Sequence, residues 1–358
     1  MAPKIPNAPP DDIFTIDLKP LKGILVDLAP GATRGMRTEQ DGWNAARSEI
    51  LSNQAKLGER AGITATDFNR FVALDGQYGQ IVAQLPRVRK AAEVLRESLA
   101  HVDNQRHKLA TQFADSAESH ADAEGGDPTL LTAYEKTIAY RSVIADKAAK
   151  TKLKNEAAKA ATGSPEPETK ATPADPAVKA AATPRSEGVS RIPTAPPDAI
   201  FTIDLAPLKG FLVDLPPGAT RGMRHEQEGW VDVWHEIVTK QPQYGDRAGI
   251  TTTDFDRFVA LSDQYDQIAK HPALLEKAEE ILLESLAHID NQRHKLVTQL
   301  ADAAEAHASA EGGDPTLLTA YEKTIAYRSV IADKAAKTRK KNEEAKKAAG
   351  GPAEPANG

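Results

Sequence analysis

The chain is an internal duplication, and this constrains its fold more than any other feature. Ile5 aligns with Ile192, and the same offset of 187 residues continues without a gap to Gly163 and Gly350. We call residues 1–163 repeat one and residues 192–350 repeat two. The sequence therefore predicts a tandem duplication of one structural unit.

The two repeats have diverged unevenly. Residues 123–151 and 310–338 are identical, including GGDPTLLTAYEKTIAYRSVIADKAAKT, whereas only Trp, Glu, Ile and Gln recur between residues 43–57 and 230–244. Structural constraint and recent gene conversion both explain such a pattern. Identity between the repeats therefore shows which residues both copies use.

Residues 164–191 separate the repeats and are rich in Pro, Ala, Thr and charge. This composition has too little apolar content to pack, so we predict a disordered linker there and a disordered tail at residues 351–358. With such a linker, the repeats can pair with each other or act separately.

Composition excludes several kinds of chemistry. The chain has no cysteine, which removes disulfides, thiolate metal sites and cysteine nucleophiles. A formal net charge of -6 argues against nucleic acid as a partner, and the basic helix ends lack the apolar face that membrane insertion needs. No charged leader or long apolar run is visible, so a cytoplasmic location is the default expectation, with export by a leaderless route left open.

The predicted fold is mainly α, with few aromatic residues and abundant Ala, Glu, Lys and Leu. Each repeat begins with a proline-flanked arm, residues 5–36, that we expect to be extended or a β-hairpin. Four helices should follow in repeat one, because apolar residues recur at helical spacing between Gly and Pro breaks. Their predicted ranges are about 38–57, 64–85, 87–124 and 128–161.

The third predicted helix carries a heptad pattern of apolar residues, which favours coiled-coil packing. GGDP then provides a helix stop, a capping Asp127 and a proline for the first turn of the next helix. A short connection of this kind predicts a long antiparallel two-helix coiled-coil hairpin in each repeat. Its pattern is interrupted by polar residues at Arg106 and Arg293, where a buried charge sets register or meets a partner.

Histidine and carboxylate residues recur at i, i+4 spacing on the long helix, a spacing that can hold one metal ion. Solvated ion pairs explain the same spacing, so no metal and no cofactor is predicted. The metal-site candidates are Glu97, His101, Asp103 and His107 in repeat one, and Glu284, His288, Asp290 and His294 in repeat two.

No phosphate-binding loop, nucleophile elbow or metalloprotease motif occurs in the sequence. We therefore predict a non-enzymatic structural or adaptor protein with two copies of a helical interaction module. A protein partner, or self-association, would use the coiled-coil seam or the arms; a small-molecule substrate is left undefined. The candidate partner-binding residues are Phe14, Ile16, Leu25, Phe201, Ile203, Leu212, Arg106, Arg293, Glu135, Lys136, Glu322 and Lys323.

Two alternatives come from other classes of protein. One is a helical metal-binding protein or enzyme that uses the His and carboxylate residues. The other is an exported helical protein that acts at membranes.

Overall fold

The computed structural model describes residues 7–142 and 193–329, together with residues 340 and 344. The protein is mainly helical, as predicted. The predicted linker at 164–191, the predicted tail at 351–358 and part of the fourth predicted helix, residues 143–161, lie outside the described residues. The described part of that helix is not continuous as predicted, because Tyr134 has φ of -117° and interrupts it.

The chain divides into two compact units, and each unit contains parts of both repeats. The first, which we call the Arg106 unit, comprises residues 1–16, 89–188 and 203–276. The second, the Arg293 unit, comprises residues 17–88, 189–202 and 277–358. The compact units therefore do not coincide with the sequence repeats.

Helices account for most of each repeat. In repeat one they are α1 (Trp43–Leu57), α2 (Ala65–Asp122), α3 (Thr129–Ala133) and α4, residues 135–142. In repeat two they are α5 (Trp230–Tyr244), α6 (Thr252–Ile268), α7 (Pro272–Ser309), α8 (Thr316–Ala320) and α9, residues 322–329.

The predicted helix break at Pro86 is wrong. Pro86 lies inside α2, which continues from Ala65 to Asp122. An internal proline removes one backbone hydrogen bond and costs about 3 kcal/mol. Ile81 and Val88 are fully buried on either side of it, and burying two such side chains stabilises the helix by a comparable amount, about 1.5–3 kcal/mol each. In repeat two the predicted break is present, because α6 ends at Ile268 and Pro272 begins α7.

The first helix begins at Trp43 and not near residue 38. Gly42 has φ of 94°, a left-handed conformation that does not continue a helix. The preceding backbone is held by α7 within the Arg293 unit, where the Glu39 N–H donates to Asp290 Oδ2 at 2.5 Å. These residues therefore make tertiary hydrogen bonds where helical ones were predicted.

The arms contain one short strand each, β1 (Thr15–Asp17) and β2 (Thr202–Asp204), and these two strands pair with each other. In the Arg106 unit the Leu205 N–H donates to the Phe14 carbonyl at 2.8 Å. In the Arg293 unit the Leu18 N–H donates to the Phe201 carbonyl at 3.0 Å. Each described arm therefore pairs with the arm of the other repeat, where the alternative prediction was a hairpin within one arm.

The GGDP segment forms the predicted turn. Helix α2 ends at Asp122, and Gly125 takes a left-handed φ of 75°. Asp127 Oδ1 then accepts hydrogen bonds from the N–H and the hydroxyl of Thr129, at 3.0 and 2.6 Å. The turn in repeat two has the same bonds from Thr316 to Asp314.

Candidate functional site: two buried arginine clusters

Among the described residues, each unit has one arginine that is almost completely buried. In the Arg106 unit, Arg106 on α2 is 2% exposed. Its Nη2 atom donates to Asp103 one turn earlier and to Glu226 from repeat two, both at 2.7 Å. A buried guanidinium is costly unless it is paired and hydrogen-bonded, and these two carboxylates meet that requirement.

Aromatic rings pack on the Arg106 guanidinium. Its central carbon lies 3.8 Å from the ring centroid of Tyr265 and 5.0 Å from that of Trp230. These distances are typical of cation–π contacts. Trp230 also contacts His107, with 4.4 Å between ring centroids, so the cluster continues to the next residue of α2.

His107 is a neutral imidazole in this cluster. It stacks on Tyr140, with 5.6 Å between centroids and 8° between planes. Burial lowers the pKa of His107 to about 4, although the Asp103 carboxylate 3.5 Å away acts in the opposite direction. Burial also raises the pKa of Tyr140 to about 12. Both groups therefore stay uncharged at neutral pH.

The Arg293 unit has the same arrangement with the roles of the repeats reversed: the arginine comes from repeat two, and most of its partners come from repeat one. Arg293 donates to Glu39 at 3.0 Å, to Asp75 at 3.1 Å and to Asp290 at 3.4 Å. Trp43 and Tyr78 pack on its guanidinium, each with its centroid 4.1 Å away. Arg293 therefore has three carboxylate partners.

The two clusters differ beside the arginine. In the Arg293 unit, Arg47 donates to Asp75 at 2.7 Å. The corresponding residues of the Arg106 unit are Trp234 and Ser262, and the Ser262 hydroxyl donates to the Phe258 carbonyl at 3.0 Å. In the Arg106 unit the indole of Trp234 thus replaces Arg47, and the hydroxyl of Ser262, which bonds within its own helix, replaces the Asp75 carboxylate.

A cavity of about 180 Å³ lies at this place in the Arg106 unit. Arg106, Glu226, Trp230, Val231, Trp234, Ser262 and Asp266 line it. Val231 is 78% exposed and Trp234 is 37% exposed, whereas the same positions in repeat one are Asn44 and Arg47. The Arg106 unit therefore presents an aromatic and acidic surface, and the Arg293 unit, with Asn44 and Arg47 at these positions, does not.

Side chains of the long helices hold the backbone that follows each strand. The motif ESLAH, at residues 97–101 and 284–288, provides a carboxylate and a hydroxyl. In the Arg106 unit, Ser98 Oγ accepts from the Val213 N–H at 2.9 Å, and Glu97 accepts from the Leu215 N–H at 2.8 Å. Buried backbone N–H groups need such acceptors, so these residues fix the path of the arm.

A buried carboxylate caps helix α4. Glu236 accepts from the N–H groups of Lys136 and Thr137, at 3.0 and 2.9 Å, and from the Thr137 hydroxyl at 2.7 Å. The first N–H groups of a helix have no partner within the helix, so a carboxylate there satisfies them. In the Arg293 unit Glu49 makes the same three bonds to Lys323 and Thr324.

The structure gives most of the metal-site candidates other partners. Glu97 and Glu284 accept backbone N–H groups, and Asp103 and Asp290 bind arginine; burial raises the pKa of both glutamates. His101 and His288 each lie within hydrogen-bond distance of a glutamine, and burial lowers the pKa of both. His107 and His294 lie in the aromatic clusters. Within residues 7–142 and 193–329, no group of three His, Cys, Asp or Glu side chains could hold a metal ion.

The partner-binding candidates fall into two groups. The apolar arm residues are buried in the core: Phe14, Ile16, Leu25, Phe201, Ile203 and Leu212. Arg106 and Arg293 are buried as well. Glu135, Lys136, Glu322 and Lys323 are exposed.

Sequence reasoning missed the partners of the two arginines, although a signal was present. Trp, Glu, Ile and Gln are the residues that recur in the divergent window that contains α1 and α5. Trp43 packs on Arg293, Glu49 caps α9, and Ile50 is fully buried. Two of the four recurring residues, Trp43 and Glu49, therefore contact the other repeat.

No helix in the described part of the chain combines the length and the apolar character that crossing a membrane requires. Family models, curated proteins and solved structures were compared with the chain, and none matches.

Proposed function

We propose that the protein is a non-enzymatic adaptor built from two helical modules. In each module a coiled-coil hairpin of one repeat binds the arm of the other repeat. Its recurring acidic and histidine residues support this role, because they bind backbone N–H groups, arginine or aromatic rings. The buried carboxylates and imidazoles therefore act in folding, and partner binding belongs to the surface.

One observation carries the proposal: the exposed pair Val231 and Trp234 lies beside the cavity at Arg106. Exposed tryptophan next to a concave site is enriched at protein interfaces. The surface is specific to the Arg106 unit, because Asn44 and Arg47 stand at the same positions in repeat one. In this proposal the Arg106 unit binds the partner protein, and the Arg293 unit stabilises the fold of the chain.

The charges at the cavity favour a basic side chain of a partner protein. Arg106 already has two carboxylate partners, and Asp266 adds a third negative charge to the lining. In the Arg293 unit, Arg47 provides a second cation at the corresponding place. We therefore propose that a partner's Arg or Lys, flanked by apolar residues, enters the cavity and contacts the Trp234 ring.

Synthetic peptides that differ only in a central Arg, Lys, Glu or Leu test this function on the full chain. Fluorescence anisotropy should show binding of the Arg and Lys peptides, with the Glu peptide at least tenfold weaker. Trp234→Arg together with Val231→Asn, which copies repeat one, should abolish binding.

Two further variants serve as controls. Asp266→Lys should weaken the Arg peptide and not the Leu peptide, because only the cation meets that carboxylate. Val72→Asn changes an exposed apolar residue of the other unit and should have no effect. Equal binding of all four peptides, or unchanged binding by the Trp234 and Val231 double variant, would rule out this surface.

A further inference from the structure

We propose that the chain associates with a second copy of itself by exchanging segments. We call residues 89–142 and 277–329 the acceptor segments, and residues 17–88 and 203–276 the donor segments. Each described unit pairs the acceptor segment of one repeat with the donor segment of the other. The second chain would provide a donor segment to an acceptor segment of the first.

The same atoms make the contact in both units. Three backbone N–H groups of each donor segment bind the same three side chains of each acceptor segment, and the distances agree within 0.1 Å. In the Arg106 unit the pairs are Val213 with Ser98 at 2.9 Å, Leu215 with Glu97 at 2.8 Å and Glu226 with Asp103 at 2.6 Å. In the Arg293 unit they are Val26 with Ser285 at 2.9 Å, Leu28 with Glu284 at 2.8 Å and Glu39 with Asp290 at 2.5 Å.

These contacts do not distinguish one chain from another. The donors are backbone N–H groups, and the acceptors are the same residue types in both repeats. The principal side-chain contacts also recur, since Trp230 and Trp43 pack on arginine while Glu236 and Glu49 cap a helix. An acceptor segment therefore finds the same complementary groups on a second copy of the chain as on its own, which is the condition for segment exchange.

Repeat one cannot complete a unit from its own segments. Its donor segment ends within α2 and its acceptor segment begins at the next residue of the same unbroken helix. A continuous helix does not fold back on itself, so residues 65–88 cannot pack beside residues 89–122 of the same helix. The part of the donor segment that lies in this helix must therefore come from another repeat, and a second chain carries two donor segments.

Within one chain, the covalent connection between the repeats favours closure on itself. A tethered pair has an effective concentration of about 1 mM, so dilute wild-type protein is expected to be a monomer. Exchange should give a detectable dimer when one chain has a damaged donor segment and the other a damaged acceptor segment of the Arg106 unit. The Arg293 unit of both chains then stays intact.

The experiment therefore mixes two full-length variants with different tags. Trp230→Arg damages a donor segment by placing a cation against Arg106, and Arg106→Glu damages the acceptor segment by adding a carboxylate beside Asp103. Refolded together, the pair should form a one-to-one heterodimer with twice the mass of a single chain, because the intact acceptor of one chain meets the intact donor of the other. Affinity capture and light scattering measure this product.

A matched pair with both defects in the donor segment provides the control. Trp230→Arg mixed with Glu236→Arg should give at least tenfold less heterodimer, since neither chain provides an intact donor segment. If the single variants do not fold alone, coexpression replaces refolding, and soluble protein should be recovered from the complementary pair only. Equal recovery from both pairs, or no heterodimer from the complementary pair under either procedure, would overturn the exchange.

Discussion

The carboxylate of Glu236 accepts hydrogen bonds from both the N–H and the hydroxyl of Thr137, at 2.9 and 2.7 Å. Glu236 belongs to repeat two and Thr137 to the segment that is identical in both repeats. Thr137 is buried, and its counterpart Thr324 makes the same bonds to Glu49. This contact gives a structural reason why threonine is kept at positions 137 and 324, near the start of α4 and α9.

Replacement of Glu236 by Gln should destabilise the Arg106 unit by about 2 kcal/mol, the usual loss for hydrogen bonds to a buried charge. Gln keeps one acceptor oxygen, but its NH₂ group would face one of the N–H or O–H donors of Lys136 and Thr137, which then lacks an acceptor. Hydrogen exchange measured by mass spectrometry should show faster exchange at residues 135–142. Glu49→Gln is the matched control and should accelerate residues 322–329 instead; acceleration of both segments by either variant would contradict this assignment.

Arg293 should tolerate neither loss of its charge nor loss of its planar shape. Arg293→Met leaves three carboxylates without their common cation and should cost about 3–5 kcal/mol, the range for a broken buried ion pair. Arg293→Lys restores the charge but not the planar contact with Trp43 and Tyr78, so we expect a smaller loss. Urea unfolding followed by circular dichroism measures the free energy of unfolding of each variant; a Lys variant less stable than the Met variant would contradict the expected order.

Local signals in the sequence predicted much of the helical fold. Glycine and proline marked the turn at GGDP and the break before Pro272, because both residues act on the backbone where they stand. Pro86 shows the limit of such signals, since burial of Ile81 and Val88 outweighs its local cost. The start of α1 shows a similar limit. It lies later than predicted because Glu39 bonds to Asp290, which is distant in sequence, and because Gly42 is left-handed.

The exchanged pairing could not be predicted, because the repeats are nearly equivalent as partners. Ser98 meets Val213, but Val26 occupies the same position in repeat one and offers the same N–H group. Periodicity correctly marked Arg106 as a polar residue among apolar ones. Its carboxylate and aromatic partners come from the other repeat, so no spacing within one helix identifies them.

His107 should make the Arg106 unit sensitive to acid. Burial lowers its pKa in the folded protein to about 4, below the unfolded value of about 6.5. The unfolded chain therefore binds a proton first, and stability that is present above pH 6.5 is lost as the pH falls toward 4. The expected loss is about 3 kcal/mol.

The change His107→Phe isolates this effect, because phenylalanine keeps an aromatic ring beside Tyr140 and Trp230 and does not titrate. Hydrogen exchange of residues 230–244, measured from pH 7 to pH 4, should show a steeper loss of stability in the wild type than in this variant, after correction for intrinsic exchange rates. Parallel curves would mean that His107 is charged in the folded protein or does not contribute.

Gly62 should resist replacement for two separable reasons. Its φ of 68° is left-handed, and a Cβ atom there would overlap the His307 imidazole within the Arg293 unit. Left-handed strain alone costs about 1–2 kcal/mol, so Gly62→Ala should lose more than this. Gly31→Ala is the matched control, because Gly31 has φ of 79° and no atom near its would-be Cβ. In thermal unfolding, adding His307→Ala to Gly62→Ala should recover the difference between the two glycine variants; no recovery would leave backbone strain as the whole effect.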